Sequence, residues 1–167
     1  MDLINYVERG GIIVYILIAM NVIGFTIILW KSFVIFMARL NLQKIANELL
    51  AELHVVKEYQ VAGIHASVAL RVKKLESGLN TVKQIASIAP LLGLLGTVIG
   101  ILNSFDSISH MGLGDPSVFS SGISVALITT VAGLIVAIPH YIGYNYFMGA
   151  LDSIEVKLEN LIIEKLQ

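Results

Sequence analysis

The sequence predicts an all-α membrane protein, with three transmembrane helices and long helical extensions outside the bilayer. Two silent stretches carry that reading. Between Lys83 and Asp106, and again between Asp115 and Asp152, the only ionisable side chain besides tyrosine is His140. A third apolar run, GGIIVYILIAMNVIGFTIILW, occupies residues 10–30. A hydrocarbon slab about 30 Å thick needs roughly 20 apolar residues at about 1.5 Å each, and all three runs are long enough. Composition agrees, because 14% of the 167 residues are charged where soluble domains carry about a quarter.

Taken in order, residues 1–9 form a short head with Asp2, Glu8 and the single base Arg9. That is not the basic start of a signal peptide, and no small-residue cleavage site follows, so residues 10–30 are expected to be a retained first span. Residues 31–84 alternate apolar and polar positions at helical spacing, with Leu40, Ile45, Leu49 and Leu53 among Lys44, Glu48 and Glu52. Gly63 interrupts that pattern, which then resumes and runs into the second span, residues 85–105. The segment is expected to be a helical hairpin. Residues 106–117 (DSISHMGLGDPS) carry a turn signal, residues 118–147 form the third span, and residues 148–167 form a tail helix. In that tail Leu151, Ile154, Leu158, Leu161 and Ile162 share one face, opposite Asp152, Glu155, Glu159 and Glu164. Such apolar stripes need a partner, and a neighbouring subunit would serve. No repeat or low-complexity tract is present.

Lys31, Arg39, Lys44, Lys57, Arg71, Lys73, Lys74 and Lys83 lie between spans one and two, and Lys157 and Lys165 lie in the tail. The head has only Arg9, and the 106–117 loop has no Lys or Arg. The positive-inside rule therefore places the amino terminus outside, and the 31–84 segment and the carboxyl terminus inside.

Function should lie where the weakly polar faces of the spans point. At about 100° per residue, Ala86, Ala89, Gly93, Thr97, Gly100 and Ser104 share one arc of the second span. Gly122, Ala126, Thr129, Thr130, Gly133, Ala137, His140 and Tyr144 share an arc of the third. Two readings fit. Small residues allow close helix packing, of which Gly96-x-x-x-Gly100 is a common form, and membrane threonines often only bond the carbonyl one turn back. Alternatively the faces line a shared space, with Thr97 and Thr130 solvating a polar group on a further helix. No Asp, Glu, Lys or Arg lies in these two spans, so a proton-carrying carboxylate must come from a partner.

His140 follows Pro139 near Tyr141, Tyr144 and Tyr146. An aromatic belt with a satisfied histidine accounts for it, and a place on a proton exit path is the alternative. Pro90 is expected to kink the second span and to free a carbonyl, and Pro139 to mark a boundary adjustment.

Other chemistries find no support. A net charge of −1 argues against nucleic acid, and the absence of cysteine excludes disulfides and thiolate metal sites. His54, His65, His110 and His140 lack ligand spacing, so neither a metal nor another cofactor is expected. No nucleophile motif, metalloprotease motif or phosphate-binding loop appears, so the chain is not read as an enzyme.

At APLLGLLGTVIGIL (Ala89–Leu102), and from Gly122 to Phe147 with GISVALITT, AGLIVAIP and YNYF, the chain resembles the MotA/TolQ/ExbB proton channel family. The likeness is specific over about residues 80–150, and it is nearer to the three-span ExbB and TolQ branch than to the four-span stators. The resemblance implies an inner-membrane subunit that forms a pentameric ring around the membrane helices of an ExbD- or TolR-like partner. That partner's membrane aspartate carries the proton, and the motion is passed to a TonB- or TolA-like protein. The role implied is energising TonB-dependent transport across the outer membrane, with the Tol envelope-maintenance system as the alternative. By the same resemblance, Thr97 and Thr130 match the pore threonines, and Pro90, Gly93 and Gly96 match packing positions beside them. Thr129, Ser104 and His140 join the candidate pore lining, and Gly100, Gly122, Ala126, Gly133 and Ala137 the packing face. The chain departs from many relatives at Val125, where they carry glutamate. A non-conducting membrane scaffold is the reading from another class, resting on the absence of charged residues in the spans.

Overall fold

A computed structural model describes residues 3–56, 61–111 and 117–166. Those residues are helical apart from short turns. The helices are α1 (Leu3–Arg9), α2 (Gly11–Leu40), α3 (Leu42–Val56), α4 (Val61–Glu76), α5 (Leu79–Met111) and α6 (Ser117–Leu166). α2, α5 and α6 are long and apolar enough to cross a membrane, with mean hydropathies of 2.7, 2.2 and 2.2 over their best windows. Much of their surface is exposed leucine and isoleucine, including Leu102 (61%), Leu127 (63%) and Ile135 (64%). Such a surface suits hydrocarbon, where no apolar area is left in water.

The chain divides into two units, residues 1–26 with 81–142, and residues 27–80 with 143–167. In the first unit, α1 and α2 are separated at Gly10, and Gly11 takes φ 63°, a left-handed conformation that glycine adopts without a Cβ clash. Its core is Ile13 and Leu17 of α2, Ile85 and Ala89 of α5, and Val136 and Ala137 of α6. The head expected at residues 1–9 therefore contains a helix. Pro90 and Pro139 both lie inside helices, so Pro139 marks no helix end, and α6 runs unbroken to Leu166. The loop expected at 106–117 is shorter, because α5 continues through Asp106 to Met111. The turn read from HMGLGDP falls on residues 112–116, outside the described residues.

The second unit explains the amphipathic stripes. Ile45 and Leu49 of α3 and Ile64, Val68 and Val72 of α4 are buried together with Leu151, Ile154, Leu158 and Ile162 of α6. Ile45 and Leu49 of the first stripe and Leu151, Ile154, Leu158 and Ile162 of the tail stripe thus find partners inside this chain. Arg71–Glu48 (3.1 Å) and His65–Glu159 (2.5 Å) cross the exposed rim, where ion pairs contribute about 1 kcal/mol or less. Leu40 remains 65% exposed.

Two breaks in this unit were not expected. At Asn41 the side-chain Nδ2 donates to Met37 O (2.9 Å), a local bond that competes with the helix ladder without any glycine or proline. At Ser77–Gly78 the pattern does not run into the second span, because Gly78 takes φ 88° and α4 ends at Glu76. Lys31, 3% exposed, reaches this end of α4 and donates from Nζ to Leu75 O (3.0 Å), while stacking over the Trp30 ring at 4.9 Å. A buried cation on a terminal carbonyl satisfies a group the helix leaves open. Gly78→Ala is expected to cost about 1–2 kcal/mol through left-handed strain, seen as a lowered melting temperature with unchanged helix content at low temperature.

Candidate functional site: the α5–α6 seam

The small-residue faces of α5 and α6 meet directly, within the first unit. A Cβ built on Gly93 would lie 2.9 Å from Thr129 O, one on Gly133 2.6 Å from Ala89 O, and one on Gly100 2.5 Å from Gly122 O. On Gly96 it would overlap the Thr129 side chain, and on Gly122 the Ser104 hydroxyl. Gly93, Gly100 and Gly133 are used up in backbone-to-backbone packing. The space expected between the two faces is therefore closed along most of its length, for the steric reason that small residues allow.

Ala126 and Ala137 are 3% and 5% exposed, and Ala137 belongs to the core of the first unit. Pro90 is half-buried in α5. Thr129 is fully buried, with Oγ1 near Val125 O (3.1 Å) and Ala126 O (3.0 Å), so its hydroxyl turns back on its own helix. Ser104 Oγ lies 3.0 Å from Gly100 O and 3.1 Å from Phe119 O, bridging α5 to α6.

Thr97 and Thr130 behave differently. Their Oγ1 atoms are 2.5 Å apart across the seam, and both residues are only half-buried. Thr97 Oγ1 is also 3.2 Å from Gly93 O, and Thr130 Oγ1 is 3.1 Å from Ala126 O. The pair owns two protons. One lies in the bond between the hydroxyls, and the other goes to one of those carbonyls. The unused lone pairs then accept a bond from a donor. The donating hydroxyl turns away from a carbonyl already engaged in the helix ladder at little cost, so the same pair also donates to an anion. The two threonines therefore suit either protonation state of an acid brought beside them. Thr97 lines a crevice of about 370 Å³ that is otherwise mostly apolar, walled by Ile101, Phe105, Phe119, Ile123 and Leu127, with Ser104 further along.

His140 is not part of this crevice as the sequence grouped it. It is fully buried, with Nδ1 2.6 Å from Val136 O, and the ring lies edge-on to Phe25 at 5.1 Å. Gly24 makes room for the imidazole, because a Cβ there would overlap it. Tyr141 and Tyr146 are exposed, as a belt requires, but His140 is packed against α2 and its Nε2 has no partner among the described residues. The signal that could have located it is Gly24, the one glycine within the apolar interior of the first span. Val125 lies on another face of α6, in a hollow with Arg9, Ser120, Ser121 and Ser124. No group of residues suited to a metal ion occurs among the described residues.

A family model described as the MotA/TolQ/ExbB proton channel family matches residues 37–160. A biopolymer transport protein ExbB homologue of Methanothermobacter thermautotrophicus is 45% identical over 82 residues, covering 49% of this chain and 29% of the relative. The biopolymer transport protein exbB1 of Vibrio cholerae is 39% identical over 87 residues (52% and 38%). The Tol-Pal system protein TolQ of Pseudomonas aeruginosa is 36% identical over 92 residues (55% and 40%). The chain spans less than half the length of each of these relatives. With a match over most of its length, and with the threonine pair inside the matched region, the chain belongs to the MotA/TolQ/ExbB proton channel family.

Proposed function

We propose that this chain is an ExbB-like inner-membrane subunit of a proton-driven motor, with its amino terminus in the periplasm and its carboxyl terminus in the cytoplasm. In this reading several copies, five by family resemblance, surround an ExbD- or TolR-like helix bearing one membrane aspartate. Proton flow then drives a TonB- or TolA-like protein for transport across the outer membrane. The observation that carries the reading is the Thr97–Thr130 hydroxyl pair, 2.5 Å apart beside an apolar crevice in spans without Asp, Glu, Lys or Arg. A carboxylate in hydrocarbon is stable only with donors at hand, and a protonated one is stable with acceptors. The hydroxyl pair offers both, while the apolar walls exclude bulk water. Without a charged group of its own the chain supplies a wall, and the moving proton rides on the partner.

The test is proton uptake into vesicles holding this chain with and without the aspartate-bearing partner. Uptake is expected only with both present, and it is lost when the partner's aspartate becomes asparagine. Assembly of both proteins with no uptake in either case would favour the non-conducting scaffold. The TolQ likeness supports a second physiological setting on the same chemistry. The two are separated by which partner pair, ExbD with TonB or TolR with TolA, restores growth phenotypes with this chain.

A further inference from the structure

Two adjoining hollows in the first unit serve no purpose in the proton path. One, of about 450 Å³, is lined by Arg9, Ser120, Ser121, Ser124 and Val125. The other, of about 470 Å³, is walled by Val14 and Ile18 of α2 and by Ile128, Val131 and Ile135 of α6, with Tyr6 and Asn21 as its polar lining. They follow one another along α6, because Ser121, Ser124, Ile128, Val131 and Ile135 recur at intervals of three and four on a single helical face. Gly10, next to Arg9, lies where an added Cβ would sit 3.1 Å from Ile128 Cγ2, which joins the Arg9 end to the start of the trough.

Together they make a cationic, hydroxyl-bearing mouth above an apolar trough. Among the described residues no carboxylate lines the mouth, and Arg9 is the only Lys or Arg of the first unit apart from Lys83. A guanidinium offers a fork of donors matched to phosphate oxygens, and serine hydroxyls add single donors. The trough is too small for a partner helix, which is about 10 Å across, but it suits a hydrocarbon chain. We infer that this groove holds one anionic glycerophospholipid of the leaflet at the Arg9 end. Its phosphate is bound by Arg9, Ser121 and Ser124, and one acyl chain lies along the Ile128–Ile135 stripe. The chain covers Val131 and Ile135, which are otherwise 55% and 64% exposed.

The experiment is native mass spectrometry of the full chain in detergent, with phosphatidylglycerol, phosphatidylcholine and inorganic phosphate added in turn. Phosphatidylglycerol adducts are expected to persist on the unaltered protein and to outlast those of phosphatidylcholine. Arg9→Gln is expected to lower phosphatidylglycerol occupancy about tenfold, the loss of one charge-assisted contact. Val131→Trp narrows the trough without touching the mouth, and it is expected to weaken long-chain lipid while sparing a short-chain analogue. Equal occupancy in the unaltered protein and Arg9→Gln would overturn the assignment, as would ready displacement of the lipid by inorganic phosphate. None of these readings depends on proton flux, so the outcome is separate from that of the proposed function.

Discussion

Replacing Gly100 by alanine is expected to destabilise the protein by about 3 kcal/mol, the upper end of what overpacking costs. The new methyl would lie 2.5 Å from Gly122 O and 2.9 Å from Ala126 N, and both are backbone atoms. A flexible side chain could swing away, but a helix backbone moves only as a whole. Relief therefore requires α5 and α6 to separate locally, stretching the Thr97–Thr130 and Ser104–Phe119 contacts. The opposite sign is expected at Gly149 of α6, where an added Cβ meets nothing within 4 Å. There Gly149→Ala should stabilise by about 1 kcal/mol, the difference in helix propensity. Melting in detergent followed by circular dichroism checks both. Equal effects at the two sites would mean that the seam is looser than its geometry states.

The second large effect is on transport. Thr97→Val combined with Thr130→Val is expected to lower partner-dependent proton uptake about 100-fold while leaving assembly and melting nearly unchanged. Valine keeps the shape of threonine, and the carbonyls that lose a hydroxyl retain their helix bonds. What disappears is the hydrogen bonding available to a charged acid, which is worth about 1.5–3 kcal/mol per bond, or roughly 10- to 100-fold in rate. Thr97→Ser, which keeps the hydroxyl, should restore most of the flux in a Thr130 background. Full activity in the double valine variant would remove the threonines from the path.

Much of this architecture was legible from charge and hydropathy. Membrane spans announce themselves because hydrocarbon excludes charge over a fixed thickness, and the α6 tail stripe follows from the helical period. The small faces were found by the same arithmetic, yet periodicity says only that residues share a face. It cannot say whether two such faces touch or enclose a space, and here the glycines touch while Thr97 and Thr130 stay half-buried. The break at Gly78 was readable in principle, since glycine after the Lys73–Lys74 turn is a helix-stop signal. The continuing apolar pattern hid it. Asn41 leaves no such mark, because its bond to Met37 O forms only once the helix is in place. The surroundings of His140 are not legible from its neighbours in sequence, which are tyrosines, because its neighbour in space is Gly24, more than a hundred positions earlier.

Direct backbone contact along the seam has a mechanical consequence. Where Gly93, Gly100 and Gly133 press against main-chain atoms, no soft side chains remain to be compressed. Over that length α5 and α6 respond to load as one stiff beam. Load applied to either helix over that length is expected to move both together, with any sliding confined to their outer surfaces.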